Sequence, residues 1–462
     1  MAMYNLEQEF KKFYKDHVVL SRDEKNNLFS KKNTNIERLK EGLKEYNEEN
    51  KTDYKLTEEP IIQGSMAMST IIQNDNKDYD IDVAIVFDKE NIPEGTISTK
   101  NIVVNALKRK CTGFNKEPEA KTNCVRIEYA EGYHIDFAIY RRYKDENDNF
   151  IYEHCGSEWR IRDPRAITKW FLEQNKQKNY NLREVVRLLK MFTKSREKWV
   201  NMPGGLILSV LANEQFQSSY DRMDERFYYT IKAIRDRLAT NKDVYNPVEE
   251  NQSLKLVSQD DIKINNLFNR LDEKLSKLDV LFMPNCTRIE ALEAWKEFFN
   301  HSFWEELIQS EGQKKTVTKS YASFFDGEEY FDYKDTEEFI EYLFPINIQY
   351  QLEIDCKIKK KGQIIGLLSS FLKRREPLLP GYDLEFYAHT NVPKPYRILW
   401  KVKNQGTEAK RRNQIRGQIV ETNQLIHHEV TSFKGNHYVE CYIVKDGVCV
   451  ARNRIPVPIK IS

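Results

Sequence analysis

Long apolar runs are missing from this chain. No stretch approaches the ~18 apolar residues that a membrane-crossing helix needs. The N-terminus, MAMYNLEQEFKKFYKD, is polar and lacks the apolar core of a secretion signal. Both absences predict a cytoplasmic protein with no membrane contact. Paired cysteines are missing too. Cys111, Cys124, Cys155, Cys286, Cys356, Cys441 and Cys449 are scattered, odd in number and without Cys-x-x-Cys spacing. That argues against a disulfide framework or a zinc site and predicts reduced thiols. A strong charge of one sign is also absent, since 73 basic residues face 71 acidic ones for a net charge of +2. Nucleic-acid binding by bulk charge is therefore not implied, although local basic patches stay open.

What is present is a folded, multidomain chain of 462 residues, 40% hydrophobic and 12% aromatic, long enough for two or three cores. One stretch organises it. Gly64-Ser65 offers backbone donors and a hydroxyl with little bulk, as a phosphate cradle requires. Asp80 and Asp82 alternate with Ile81 and Val83, so on a strand both carboxylates share one face. Asp136 repeats the device within Tyr-His-Ile-Asp-Phe-Ala-Ile-Tyr, with Ile135, Phe137 and Ile139 facing away. Three converging carboxylates would repel one another unless cations lay between them, and hard oxygen donors suit magnesium or manganese. Triphosphate cradle, acids and two divalent metals are the parts of a nucleotide-transfer site.

QGSMAMSTIIQ, DYDIDVAIVF and HIDFAIY, in that order, resemble the cGAS/DncV-like branch of the polymerase β-like nucleotidyltransferases, the bacterial CD-NTases. The resemblance implies an α+β fold. A polymerase β-like palm with a helical second lobe would be followed by a small all-β domain. The expected divisions are 1–160 for the catalytic core with its bracing N-terminal helix, 161–320 for the helical lobe, and 336–462 for the β-rich domain. The resemblance also implies that Asp80, Asp82 and Asp136 are catalytic and hold two Mg2+ (or Mn2+) ions. Gly64 and Ser65 would hold the donor phosphates. VVRLLKMF looks like the helix whose lysine reaches the triphosphate, which points to Lys190, and PGGLILSVLANEQF looks like the helix whose serine does so, which points to Ser209. Val210 follows that serine where relatives often carry a base-stacking aromatic, so no stacking residue is named.

Along the chain, Leu6, Phe10 and Phe13, then Ile36, Leu39, Leu43 and Tyr46, predict helix over 4–47. A helix near 98–110 precedes a hairpin, Cys124–Ala130 and Tyr133–Tyr140, around Glu131-Gly132. Asp163-Pro164 reads as an N-cap and first helical position. Asn181 opens a helix with Leu182, Val185, Val186, Leu189 and Phe192 on one face. On the other, Arg183, Arg187, Lys190 and Lys194 form a basic stripe, by default a solvated face. Tyr245-Asn246-Pro247-Val248 resembles a turn found near the nucleotide pocket of the family. Apolar stripes through Ile264–Leu278 and Ile289–Phe299 predict bundle helices, and residues 310–335 read as a polar linker.

Beyond the linker the period becomes two, with strands expected at Ile346–Ile358, Leu384–Ala388, Ile398–Lys403, Gln414–Glu421, Tyr438–Val444 and Val448–Arg454. Lys445-Asp446-Gly447 marks a hairpin. WKVKNQGTEA, RGQI and EVTSFKGNHYVECYIVKDGVCVA resemble the AGS-C sensor domain found behind CD-NTase cores in anti-phage operons. Lys401, Lys403, Lys410, Arg411, Arg412 and Arg416 are candidates for an anionic activating ligand, against a default of solvated charges. His427, His428 and His437 lack partners at metal spacing, so no metal is expected there.

The leading expectation is a synthase that joins nucleoside triphosphates, ATP among them, into a cyclic oligonucleotide acting on a separate effector in anti-phage (CBASS) signalling. Nucleotide transfer to a tRNA, protein or antibiotic acceptor is the alternative enzyme. A catalytically silent nucleotide sensor is the non-enzyme alternative.

Overall fold

A computed structural model describes residues 2–73, 79–249, 251–314, 337–412 and 414–460. The expected single N-terminal helix is broken. Helix α1 (Glu7–Phe13) runs into a π-helical turn, Tyr14–Val18, after which Val19 turns extended and bridges to Ile72. The β-branched pair Val18-Val19 is stiff at χ1 and disfavours helix continuation. Ser21 then restarts the chain as α2 (Arg22–Asn50), its Oγ accepting the Glu24 amide at 3.2 Å. Leu6, Phe10 and Phe13 enter the helical lobe, whereas Leu28, Ile36, Leu39 and Leu43 enter the palm. The brace is thus two helices, one for each lobe.

The palm carries β1 (Ile61–Ile62), α3 (Gly64–Ala67), β2 (Asp80–Asp88), α4 (Thr96–Lys110), β3 (Glu119–Ala120), β4 (Val125–Glu128), β5 (His134–Lys144), β6 (Phe150–Cys155) and β7 (Trp159–Ile161). Its sheet runs β1-β2-β5-β4-β3, with β6 pairing on β5 and β7 on β6. Strand alternation sets the layers: Ile81, Val83, Ile85 and Phe87 pack with α2 and α4 residues, leaving the other face for the acids. Gly42 lets α2 approach α4, since a Cβ there would stand 2.0 Å from the Ala106 carbonyl oxygen.

The helical lobe comprises α5 (Ala166–Gln177), α6 (Leu182–Thr193), α7 (Gly205–Glu214), α8 (Met223–Thr240), α9 (Ser258–Leu275), α10 (Arg288–Phe299) and α11 (Ser302–Lys314). Its core is aromatic; the Phe10 ring lies 4.5 Å from Trp295, edge-on, and 5.5 Å from Trp304. Helix α5 starts later than Asp163-Pro164 predicts. The Asp163 Oδ1 accepts the Arg165 amide at 2.8 Å in a turn that precedes the helix. The expected linker meets α11 at 310–314, and the rest of it lies outside the described residues.

The C-terminal domain is a sandwich. It contains β8 (Leu352–Lys360), β9 (Gln363–Leu367), α12 (Leu368–Lys373), β10 (Asp383–Thr390), β11 (Arg397–Lys403), α13 (Thr407–Arg411), β12 (Arg416–Glu421), β13 (Ile426–Val430), β14 (Gly435–Lys445) and β15 (Val448–Ile459). One sheet runs β13-β10-β8-β9 and the other β12-β11-β14-β15. Inward residues such as Cys356, Ile358 and Phe386 meet Trp400, Cys441 and Ile443. The first strand begins at Leu352, later than expected, and β9 and β13 were not legible in the sequence.

Residues 337–346 splice this domain to the palm. Ile340 and Ile346 pack with Leu399, Tyr442 and Val444 of the sandwich, while Phe339 and Tyr342 pack into the palm core. Arg165 Nε donates to the Glu341 carbonyl at 3.2 Å, and Arg452 pairs with Glu59 at 3.0 Å. Behind this seam Glu58 is buried, ion-paired with Arg165 and with Arg142 at 3.2 Å, and accepts the Tyr152 hydroxyl at 2.9 Å. Removing one partner of a buried ion pair strands the other charges. Glu58→Ala is therefore expected to cost about 3–5 kcal/mol, read as a lowered denaturant midpoint. A loss below about 1 kcal/mol would mean that water reaches the network.

Candidate active site

Pairing of parallel strands β2 and β5 sets Asp80 beside His134 and Asp82 beside Asp136, and antiparallel β4 sets Arg126 opposite Asp136. Adjacent strands lie about 4.8 Å apart, so Asp82, Asp136 and Arg126 form a row across one face. Asp136 is buried and doubly held: Arg126 Nε donates to its Oδ1 at 2.8 Å and Nη2 to its Oδ2 at 2.6 Å. Asp80 is exposed, 3.7 Å from Arg126 and 3.3 Å from the His134 ring nitrogen. The Asp82 carboxyl is pushed up to about 7, first by burial, then by Asp136 and Asp80, against the smaller opposing pull of Arg126 and Lys190.

Gly64 closes over Asp82. It has φ +60°, and a Cβ there would lie 2.0 Å from the Asp82 Oδ2. The loop is tied down by the Gln63 amide donating to the Asp82 carbonyl at 2.8 Å and the Thr70 amide donating to the Ser65 carbonyl at 2.7 Å. From the helical lobe, Lys190 Nζ donates to the Thr70 carbonyl at 3.0 Å and to its Oγ1 at 2.9 Å. Burial holds this ammonium down to about 7, with Lys194 and Arg187 adding repulsion and Asp82 opposing. Gly205 leaves room for it, since a Cβ there would stand 3.1 Å from Nζ.

Gly64, Ser65, Asp80, Asp82, Asp136 and Lys190 all line one cavity of about 590 Å³ between palm and helical lobe. Ser209 does not. It is fully buried in α7, and its Oγ donates to the Gly205 carbonyl at 2.8 Å, one turn back. In this conformation the hydroxyl is bonded within its own helix and does not reach the cavity. The solvated basic stripe holds for Lys194, which is exposed, and is corrected for Arg183, Arg187 and Lys190, which are buried, Arg183 Nε donating to the Met68 carbonyl at 2.8 Å and Arg187 Nη1 to the Tyr14 hydroxyl at 2.9 Å. The Asn246-Pro247 turn lies outside the cavity lining, its side chain bonded to Gln252 at 2.6 Å.

Sequence reasoning missed Arg126, Thr70 and the Gly204-Gly205 pair. Arg126 could have been found, because a hairpin turning at Glu131-Gly132 puts residue 126 opposite 136. Thr70 could not, since its contact spans two lobes. The lining also includes Tyr140, Arg162 and His154, whose ring is pushed down to about 4 by burial first and Arg162 next.

Among the described residues, no three acidic, histidine or cysteine side chains grip a common point as they stand. The three backbones are brought together, but Arg126 holds Asp136 and Asp80 leans outward. The donor set nonetheless fits divalent cations: hard oxygens in register, with one buried carboxyl whose charge its neighbours oppose. Lys190→Ala removes a charged donor worth about 1.5–3 kcal/mol, so KM for a triphosphate is expected to rise about 10–100-fold. Because the folded state penalises this lysine's charge, the melting temperature near neutral pH should not fall. An unchanged KM would remove Lys190 from the phosphate site.

Residues 59–140 match the family model described as the nucleotidyltransferase domain of the DncV-like cyclic GMP-AMP synthases, and residues 334–460 match the adenylyl/guanylyl and SMODS C-terminal sensor domain. The chain is 25% identical over 459 residues to a cyclic GMP-AMP synthase of Escherichia albertii, covering 96% of this chain and 91% of that one. It is 30% identical over 82 residues to a cyclic AMP-AMP-AMP synthase of an Acinetobacter species, covering 17% of this chain and 23% of that one. In fold it is similar to Vibrio cholerae DncV cyclic AMP-GMP synthase bound to a linear intermediate, with a TM-score of 0.52 and 18% identity over 65% of this chain and 97% of that one.

Proposed function

We propose that this chain, a cGAS/DncV-like nucleotidyltransferase with a C-terminal AGS-C domain, joins nucleoside triphosphates into a cyclic oligonucleotide that signals to a separate effector in bacterial anti-phage defence. The observation that carries the reading is the register of Asp80, Asp82 and Asp136 beneath the Gly64-Ser65 turn, facing Lys190 across one cavity. Asp80, Asp82 and Asp136 would hold two Mg2+ (or Mn2+) ions, which supply Lewis-acid activation of the acceptor hydroxyl and charge neutralisation at the phosphates.

The chain's own residues orient the donor. Gly64 and Ser65 present backbone N–H groups and a hydroxyl to the phosphates, and Lys190 exchanges its Thr70 contacts for phosphate oxygen. A ribose hydroxyl attacks the α-phosphorus, the α–β phosphoanhydride bond breaks, and pyrophosphate leaves with the electron pair as the hydroxyl loses its proton. A last, intramolecular transfer of the same kind closes the ring. No helix among the described residues is long and apolar enough to cross a membrane, which suits a chemistry on soluble nucleotides.

The test is incubation of the full-length protein with single triphosphates and pairs, ATP included, with magnesium or manganese, followed by mass spectrometry. A cyclic product is expected. A mononucleotide attached to a tRNA, protein or drug would overturn cyclisation, and no pyrophosphate under any condition would indicate a silent core.

A further inference from the structure

Five of the six basic residues singled out in the β-domain separate sharply in the structure, and the side chain of the sixth, Lys410, lies outside the described residues. Arg411 and Arg412 pair with Glu408, and Arg416 pairs with Glu429, all at the surface. Lys401 and Lys403 are instead buried on the outer face of β11, with side-chain exposures of 1% and 11%. Buried lysines are rare without a partner. Theirs is Glu337, which is not part of either sheet of the sandwich but enters from the segment joining it to the palm. Lys401 Nζ lies 2.8 Å from Glu337 Oε1, Lys403 Nζ lies 3.1 Å from Oε2, and the Tyr438 hydroxyl donates to Oε1 at 2.6 Å.

We propose that the Lys401–Lys403–Tyr438 cradle is a binding site for a phosphate-bearing ligand, and that Glu337 is its built-in competitor. The charge count favours this assignment. With Glu337 removed, Lys401 keeps one carboxylate in contact, Glu440, which lies 3.2 Å away and also accepts from Arg454 at 2.7 Å, while Glu338 and Glu341 act on it only from farther off. Lys403, 11% exposed, is then left with no contacting carboxylate among the described residues, and Lys401, 1% exposed, with one that it shares. A phosphate monoester dianion restores the balance and accepts from both ammonium groups and the phenol. A single carboxylate ligand would only reproduce what Glu337 already does.

The exchange has a mechanical consequence. Glu338, next in the chain, is bound to β12: its amide donates to the Gly417 carbonyl at 2.9 Å and its Oε2 accepts the Ile419 amide at 2.8 Å. Gly417, at φ +115°, admits this close approach, since a Cβ there would lie 3.0 Å from the Glu337 Cα. Four residues past Glu337, the Glu341 carbonyl holds Arg165, which directly follows Asp163 and Pro164 of the cavity wall. Ligand capture at the cradle therefore competes with the seam that positions this wall, as linkage between two sites requires. This coupling rests on the proposed nucleotide transfer; the binding itself does not, so the two can fail separately.

Binding of inorganic phosphate to the full-length protein at constant ionic strength tests the site. Glu337→Gln should bind phosphate roughly tenfold or more tightly than the wild type. Adding Lys401→Met and Lys403→Met should abolish that gain, whatever phosphate the nucleotide cavity also takes. Equal affinity of wild type and Glu337→Gln, or a gain that survives loss of both lysines, overturns the proposal. Should Glu337→Gln fail to fold, the wild type decides. Saturating phosphate must then accelerate hydrogen exchange in residues 338–344, and unchanged exchange overturns the site.

Discussion

Replacing Asp80 and Asp82 together by asparagine is expected to leave less than about a hundredth of the wild-type rate of nucleotide transfer, the scale of several kcal/mol of lost transition-state stabilisation. Neutral amides cannot offset triphosphate charge or hold divalent ions. The fold should not suffer. Asp82 has a folded pKa of about 7 against an ordinary value of 3.8, so its ionised form is disfavoured in the folded protein. Its contribution to stability is full below about pH 4 and is lost as pH rises through 7. At pH 8, without metals, Asp82→Asn should therefore melt at or above the wild-type temperature, and only the wild type should be stabilised by added magnesium or manganese. Retained transfer in the double variant would mean that the site is elsewhere. A variant that melts well below wild type at pH 8 would contradict the electrostatic account.

Gly64→Ala is expected to lower kcat about a hundredfold, the penalty for a catalytic group displaced by about 1 Å. Two constraints meet at this position. The φ of +60° costs an L side chain about 1–2 kcal/mol, and the new methyl would stand 2.0 Å from the Asp82 Oδ2. The carboxylate can swing away, so the protein should fold, but it swings away from the place that Asp136 faces across the strand pair. The measurement is kcat beside the melting temperature. A small fall in stability with unchanged kcat would show that Asp82 has no fixed geometric role.

The acids were legible because strand alternation is a strict period: Asp80, Asp82 and Asp136 could share a face only if their strands were neighbours, and they are. The hairpin at Lys445-Asp446-Gly447 was legible for the same reason, turn chemistry being local. Lys190 came through the resemblance alone, since its stripe had the periodicity of a solvated face. Burial of Arg183 and Lys190 comes with their bonds to Met68 and Thr70, and that of Arg187 with its bond to Tyr14, partners more than a hundred residues away that no local period encodes. Ser209 likewise came through the resemblance alone, and the bond its hydroxyl makes to the carbonyl four residues back was not legible in the sequence. The break near Val19 depended on its bridge to Ile72, a partner more than fifty residues away. The splice through Ile340 and Tyr342 likewise needs two domains in place before its alternating contacts mean anything.

The central claim is that this cavity transfers a nucleotide, with the α-phosphate kept and pyrophosphate released. Its most direct measurement follows the fate of the phosphates of a triphosphate substrate labelled at the α or at the γ position. The account predicts α label in the oligonucleotide product and γ label in pyrophosphate, both lost in the Asp80→Asn, Asp82→Asn protein. Appearance of γ label in inorganic phosphate or on an acceptor, with the α label left in a nucleoside diphosphate, would contradict it.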